Sequence, residues 1–117
     1  MRIRPNRAVL EGASELFAAL GDATRLVLLA RLAGGEECSI AELTQGAGRA
    51  GMELSRQAVT KHLRVLERAR VVHGRRCGRE RLYVLEQQPL EQMKAYLELV
   101  SGHWDRALGR LKELVEG

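Results

Sequence analysis

The apolar pattern of this chain changes its period at Val71. Before this residue, from about residue 7 onward, apolar residues recur at spacings of three and four, which is the pattern of amphipathic helices. After it, two short β-prone runs at 71–72 and 82–85 flank a basic loop that contains glycine, and this arrangement predicts a hairpin. The helical spacing returns at Pro89 and continues to about residue 116. The predicted fold class is therefore mainly α with a small β-hairpin.

Start and stop signals divide the part of the chain before the hairpin into four helices. Asp22 is a good N-cap for the second helix, and Ser39 followed by Glu42 forms a capping box for the third. Three glycines within residues 46–51 predict a turn, after which Ser55 caps a fourth helix. The predicted element order is α-α-α-α-β-β-α, and the length of 117 residues is enough for one domain, residues 1–117.

The third and fourth helices and the hairpin have the layout of a winged helix-turn-helix, because a turn joins two helices and a basic hairpin follows the second. The recognition helix is predicted at about 55–69 and the wing at about 71–85. Within the recognition helix, Val59, Leu63 and Leu66 recur at i, i+4 and i+7 and are predicted to be buried. The opposite, polar face is then available to a partner.

Positive charge is concentrated in this same part of the chain. The whole chain has a net charge of +4, whereas residues 55–81 hold nine Lys or Arg and two acidic residues, a net +7. Charge alone fits a solvated face equally well, but its position on a predicted recognition helix and wing favours double-stranded DNA as the partner. RNA is an alternative on charge grounds, although single-strand RNA modules need stacking aromatics, in which this chain is poor.

The polar face of the recognition helix carries side chains suited to DNA. In the major groove, Arg can bridge the two acceptors of guanine, Gln can pair with adenine, and Thr can meet the thymine methyl group. The candidate base contacts are Arg56, Gln57 and Thr60. The candidate phosphate contacts on this helix are Ser55, Lys61 and Arg64. The candidate wing contacts, to phosphates or a narrow minor groove, are Arg75, Arg76, Arg79 and Arg81.

The last helix, about 89–116, is predicted to be roughly 40 Å long. An apolar seam of that length exceeds what the rest of a small domain can cover, so we expect a homodimer through this helix and the first one, about 7–20. The alternative is a helix that bends at Gly102 or Gly109 and folds back onto its own core. The candidate interface residues are Leu10, Phe17, Leu97, Val100, Trp104, Leu108 and Leu111.

Two cysteines cannot form a disulfide framework, and no apolar stretch is long enough for a signal peptide or a membrane span. These observations predict a cytoplasmic protein. The three histidines His62, His73 and His103 lack a partnered Ser, Cys or carboxylate pattern, and there is no phosphate-binding glycine motif. We therefore expect no enzymatic activity.

Several segments resemble the ArsR family of winged-helix repressors over nearly the whole chain. They are "LFAALGDATRLVLLARL" at the start, "LSRQAVTKHLRVLERARVV" in the recognition helix and "GRRCGRERLYVL" in the wing. The tail "HWDRALGRLKEL" resembles the ArsR-like subgroup often encoded beside small lipocalin-like SRPBCC proteins. The resemblance implies a homodimer built through the first and last helices that binds an operator with twofold symmetry and represses transcription.

Departures from the family pattern bear on metal binding. Ser39 and Ala41 stand where many family members have metal-binding cysteines, and neither ligates a soft metal. Met93 stands where another family site needs a histidine, so we expect no metal and no cofactor. Arg70 replaces the glycine expected at the end of the recognition helix. The alternative function is a metal- or thiol-gated sensor repressor that uses Cys38 or Cys77; the effector is not indicated.

Overall fold

The computed structural model describes residues 7–116, and within this range it describes all side chains except those of residues 8–10, 103 and 104. In the described range the chain forms five helices and three strands. No helix there combines the length and the apolar character that a membrane crossing requires. In chain order the elements are α1 Arg7–Leu20, α2 Ala23–Leu32, β1 Cys38–Ser39, α3 Ile40–Arg49, α4 Arg56–Arg68, β2 Val72–Cys77, β3 Glu80–Leu85 and α5 Gln87–Glu116.

Side-chain caps start the helices where the sequence predicts them. The Asp22 carboxylate accepts the backbone amides of Thr24 at 2.9 Å and Arg25 at 3.2 Å. At the start of α3, the Ser39 hydroxyl accepts the amide of Glu42 at 3.2 Å, and the Glu42 carboxylate accepts the amide of Ser39 at 3.1 Å. This reciprocal pair is the predicted capping box, and it satisfies two helix-terminal donors that would otherwise need water.

The strand β1 is absent from the predicted element order. It pairs antiparallel with β3, so that Cys38 faces Tyr83 and Ser39 faces Leu82, and the sheet has the strand order β1-β3-β2. A two-residue strand has no measurable alternation in sequence, and only its partner in β3 defines it. The pairing fixes the start of α3 to the base of the wing.

The helix α3 also continues into the turn predicted at residues 46–51, since it ends only at Arg49. Ala47 is fully buried, and Gly46 lies against Arg31, whose Cγ would be 3.6 Å from a Cβ at position 46. Burial on α2 therefore outweighs the low helix propensity of the glycines. The chain turns after Ala50, at Gly51, which has a φ of +85°.

The core lies where α2, α3 and α4 meet the sheet. Val59, Leu63 and Leu66, the predicted buried face of α4, are all fully buried, so this prediction is confirmed. They pack in one cluster with apolar residues of the other elements, among them Leu28, Leu32, Leu43, Val71 and Tyr83. The burial of one face of α4 leaves its other face to the solvent.

The helix α4 ends in a Schellman motif built on an arginine. The amide of Val71 donates to the carbonyl of Leu66 at 3.0 Å, and the amide of Arg70 donates to the carbonyl of Glu67 at 2.9 Å. This geometry places Arg70 in the left-handed region with a φ of +62°. A side chain at such a φ costs about 1–2 kcal/mol relative to the ordinary helical region.

The helix α5 leaves the core as one continuous segment of 30 residues, about 45 Å long. It passes through Gly102 and Gly109 without interruption, so the chain does not fold back in the way the alternative interpretation required. Because α5 projects from the rest, the radius of gyration is 18.3 Å, against roughly 13 Å for a compact chain of this length.

Candidate nucleic-acid interface

An open groove of about 470 Å³ lies between the start of α3, the outer face of α4 and the wing. All five polar residues predicted on the outer face of α4 line it, so the fold brings these candidates together with two of the four wing arginines. The lining residues are Ser39, Ile40, Ala41, Arg56, Gln57, Thr60, Lys61, Arg64, Arg79, Glu80 and Arg81. We call Arg56, Gln57, Thr60, Lys61 and Arg64 the recognition face.

The recognition face is available to a ligand. Arg56, Gln57, Lys61 and Arg64 are exposed, and Thr60 is half-buried. The Thr60 hydroxyl donates to the carbonyl of Arg56 at 2.7 Å, which leaves its methyl group as an apolar contact. Ser55 caps the helix by accepting the amide of Ala58 at 3.1 Å, and its hydroxyl proton stays available as a donor. The positive end of the α4 dipole adds to the attraction for an anion at Ser55.

Two glycines shape the wing. The hairpin closes through Gly78 and Arg79 between the paired residues Cys77 and Glu80, and Gly78 has the positive φ, +62°, that such a two-residue turn needs. Gly74 lies opposite Tyr83, and a Cβ at this position would be 2.8 Å from the tyrosine ring. The tyrosine therefore packs flat across β2, and the hairpin keeps one fixed register.

Two wing arginines are engaged within the protein. Arg75 makes a bidentate pair with Glu37, with its Nε at 2.7 Å and its Nη2 at 3.0 Å from the two carboxylate oxygens. These hydrogen bonds hold the pKa of Glu37 below its ordinary value. Arg81 Nη2 lies 3.3 Å from Glu67 and donates to the carbonyl of Gly74 at 3.2 Å. Both arginines thus brace the wing against the rest of the domain.

The other two wing arginines, Arg76 and Arg79, are exposed, and among the described side chains neither forms an ion pair. Arg79 occupies the turn itself and lines the groove, whereas Arg76 lies one residue before Cys77 at the end of β2. The tip of the wing therefore presents two guanidinium groups to the solvent.

Sequence reasoning missed part of the groove. Ile40 and Ala41, at the start of α3, also line it, and Glu80 adds a carboxylate from the wing. The capping box at Ser39 was the signal that could have located Ile40 and Ala41, because it marks the end of α3 that lines the groove. No pattern in the sequence singles out Glu80.

The two cysteines occupy different environments. Cys38 is buried in β1, 1% exposed, and burial raises the pKa of its thiol, which disfavours the reactive thiolate. Cys77 is exposed at the end of β2. Within the described part of the chain, His, Cys, Asp and Glu do not gather into a group of three or more that could hold a metal ion.

The predicted dimer residues lie along α1 and α5. Leu97, Leu108 and Leu111 are between 52% and 57% exposed, while Val100 is half-buried. Phe17 is half-buried too, and its ring packs on that of Tyr96 with centroids 6.0 Å apart. Met93 belongs to the core at 8% exposure. The side chains of Leu10 and Trp104 lie outside the described residues.

Comparison with known proteins places the chain in a family. A family model described as a helix-turn-helix domain matches residues 20–75. The HTH-type transcriptional regulator YuzN of Bacillus subtilis (strain 168) is 36% identical over 85 residues, which are 71% of this chain and 92% of YuzN. The structure of an ArsR-like transcriptional regulator from Rhodococcus sp. RHA1 has a TM-score of 0.71 at 30% identity, covering 92% of this chain and 95% of that one. This chain belongs to the ArsR family.

This ArsR-family protein is therefore a helix-turn-helix transcriptional regulator that binds DNA, and its family is not one of enzymes. The predicted family, the winged helix-turn-helix fold and the non-enzymatic function are confirmed. The HTH-type transcriptional repressor SmtB of Mycobacterium tuberculosis is 35% identical over 81 residues, 69% of this chain and 56% of SmtB. The homodimeric winged helix-turn-helix domain of Mb0332 from Mycobacterium bovis shares the fold, with a TM-score of 0.64 at 20% identity over 91% of this chain and 95% of that one.

Proposed function

We propose that this ArsR-family regulator is a homodimeric repressor that binds a DNA operator of twofold symmetry. The single observation that carries the proposal is the groove in which the recognition face and the wing meet. A groove bounded by a capped helix and a basic hairpin matches the way a winged helix-turn-helix holds a duplex, with the recognition helix in the major groove. Repression follows if the operator overlaps the promoter, and SmtB, which carries the name of a repressor, is a relative over 69% of this chain.

Within this proposal the recognition face divides its work between bases and phosphates. Arg56, Gln57 and Thr60 contact base edges, and Ser55, Lys61 and Arg64 contact the backbone. Arg76 and Arg79 are the first wing contacts because their guanidinium groups face the solvent. Arg75 and Arg81 contact DNA only if phosphates compete with Glu37 and Glu67 for them.

The homodimer rests on the apolar surface that one chain leaves open along α5. Leu97, Leu108 and Leu111 repeat on one side of this helix, and a second copy that packs there removes them from water. Contact between Phe17 and Tyr96 joins α1 to the same region. The recognition segment of 55–69 and the wing of 71–85 then form the DNA-binding part of a single domain, and the helices of 7–20 and 89–116 form its dimer-building part.

The first experiment measures binding of the purified protein to its own upstream promoter fragment and to random DNA of equal length at physiological salt. We expect selective binding, with one dimer bound per site. Equal affinity for the two DNAs would contradict operator binding at that promoter. Added zinc or oxidant tests the sensor alternative, which requires either addition to change the affinity; Cys77 is its only candidate with an exposed thiol among the two cysteines.

A second experiment tests the assignment of side chains. Gln57→Ala should lose about 1–3 kcal/mol on the operator and relax specificity at one base pair. Lys61→Ala should weaken operator and random DNA alike and reduce the slope of binding against salt by about one. Arg68→Ala is the matched control, since Arg68 is an exposed cation of α4 that does not line the groove. Equal effects of all three substitutions would show that the recognition face is assigned wrongly.

A further inference from the structure

The guanidinium group of Arg25 lies at a junction of three helices. Its Nε donates to the carbonyl of Ala19, and its Nη2 lies 3.4 Å from the carbonyl of Ala18; both carbonyls belong to the last turn of α1. Its Nη1 lies 3.3 Å from Nδ1 of His62 in α4. Arg25 itself stands in the first turn of α2. One side chain therefore joins the end of α1, the start of α2 and the middle of the recognition helix.

A hydrogen bond from Arg25 is compatible with only one neutral tautomer of the His62 ring. A guanidinium group donates hydrogen bonds and does not accept them, so a bond from Arg25 requires an unprotonated Nδ1 and a proton on Nε2. The same Nδ1 lies 4.0 Å from the Asp22 carboxylate. Asp22 accepts two backbone amides of α2, and the amide of Arg25 is the main reason that the pKa of Asp22 is lowered. The lowered pKa favours the charged form of Asp22, and the charge of Arg25 contributes to that lowering.

The junction is close to the recognition face without being part of it. His62 follows Thr60 and Lys61 directly in the chain, and neither Arg25 nor His62 lines the groove. On the other side, α1 contacts α5 through Phe17 and Tyr96. The junction therefore lies between the surface assigned to the dimer and the surface assigned to DNA.

We propose that Arg25 and His62 are positioning residues for DNA recognition, and that their contact sets the orientation of α4 relative to α1. This inference rests on the proposed function, because it matters only where two recognition helices of a dimer must meet two half-sites together. A small rotation of α4 about its axis moves every side chain of the recognition face at once. Loss of the contact should therefore weaken specific binding even though neither residue touches DNA.

A double-mutant cycle on operator affinity tests the proposal. His62→Leu removes the acceptor, and Arg25→Met removes the donors while it keeps an apolar stem of similar reach. His62→Leu should raise the Kd for the selected promoter fragment about tenfold, and Arg25→Met should raise it at least as much, because it also removes the donors to the Ala18 and Ala19 carbonyls. The double variant should lose no more than Arg25→Met alone, because both changes break the contact between Arg25 and His62. His62→Asn, whose side-chain oxygen lies near the position of Nδ1, should recover most of the affinity.

The matched control is Arg31→Met, since Arg31 is also in α2 but lies against Gly46 of α3. The factor by which Arg31→Met raises the Kd should multiply with the factor caused by His62→Leu. A loss in the Arg25→Met, His62→Leu variant equal to the product of the two single losses would mean that the two residues act independently and would overturn the proposal. So would unchanged affinity with a lower urea midpoint, which is the signature of a purely structural contact.

A spectroscopic measurement separates failure of this inference from failure of the proposed function. In ¹⁵N spectra of the histidine rings at a pH where they are neutral, His62 should show the proton on Nε2, and Arg25→Met should shift its Nδ1 resonance. A proton on Nδ1 would refute the contact even if the protein binds its operator selectively. If the ring has the expected tautomer but the wild type selects no DNA, the proposed function fails, and the positioning role fails with it.

Discussion

The helices α4 and α5 carry comparable apolar stripes, but they complete their packing in different ways. In α4 the stripe of Val59, Leu63 and Leu66 is fully buried by the rest of the same chain. In α5 the leucines after Val100 are exposed, and Leu114 reaches 83% exposure. One chain therefore covers the apolar face of α4 completely, whereas the residues of α5 after Val100, here called distal α5, expose their leucines to the solvent.

This difference shows that an amphipathic pattern predicts a buried face without specifying what buries it. For α4 the covering surface comes from α2, α3 and the sheet within about 50 residues of sequence. Distal α5 lies beyond the contact of Phe17 with Tyr96, and the described part of the chain leaves its leucines exposed. A second copy of the chain is the partner that we propose.

The largest effect expected from this contrast is on stability. Leu63→Ala opens a cavity under α4 and should lower the free energy of unfolding by about 2–5 kcal/mol. The same change at Leu114, which is 83% exposed, should alter it by less than about 0.5 kcal/mol. Urea unfolding of both variants at low protein concentration measures the two values. Similar losses would show that the end of α5 is packed as tightly as α4.

The next effect concerns association. The double variant Leu108→Glu, Leu111→Glu places two charges on the exposed seam of α5 and should weaken dimerisation by about 3 kcal/mol or more, since each buried leucine contributes about 1.5–3 kcal/mol. Sedimentation velocity across a range of concentrations measures the change. Arg110→Glu is the control, because its position lies on the other side of the helix. A dimer that survives the double variant would place the interface elsewhere.

A smaller effect is expected at the end of α4. Arg70→Gly should raise the free energy of unfolding by about 1 kcal/mol, because glycine adopts the φ of +62° without the strain of a side chain. Arg68→Gly, two residues earlier in ordinary helical conformation, should lower it by about 1 kcal/mol. Urea unfolding measures both changes in the free energy of unfolding. Changes of opposite sign would confirm that the backbone conformation at each position decides the effect of glycine, whereas a loss of stability in both variants would contradict it.

The smallest effect should appear in the dependence of stability on pH. The pKa of Glu37 is lowered by its hydrogen bonds with Arg75, so the pair stabilises the folded protein above the ordinary pKa of 4.5 and this contribution fades as the pH falls below it. Glu37→Gln should therefore be less stable than the wild type at pH 7 and nearly equal to it well below pH 4. Urea midpoints at both pH values check this, and a constant difference would exclude the ion pair as the cause.

The same substitution sharpens the contrast between the two parts of the molecule. Because Glu37 holds Arg75 against the domain, its removal should change the affinity for DNA while it leaves dimerisation unaltered. The double variant Leu108→Glu, Leu111→Glu should have the opposite effect. It should weaken dimerisation directly and DNA binding only as a consequence of the weaker dimer.

Local interactions explain why much of the fold could be predicted. The caps at Asp22, Ser39 and Ser55 act on amides two or three residues away, and the buried stripe of α4 follows from the helical period. The recognition face could be identified for the same reason, since residues on one side of a helix are set by spacing alone. The spacing of residues along the chain was therefore sufficient to predict the caps, the buried stripe and the recognition face.

Other features depend on residues far apart in the chain. The strand β1 exists only because β3 pairs with it, and α3 runs through two glycines because Ala47 is buried on its neighbours. Tertiary contacts also decided which wing arginines are engaged and what His62 contacts. Glu37 and Arg75 are 38 residues apart, and Arg25 and His62 are 37 apart. A pattern of spacings records which neighbours a residue has along the chain, whereas an ion pair or a strand partner depends on where the folded chain brings the other group.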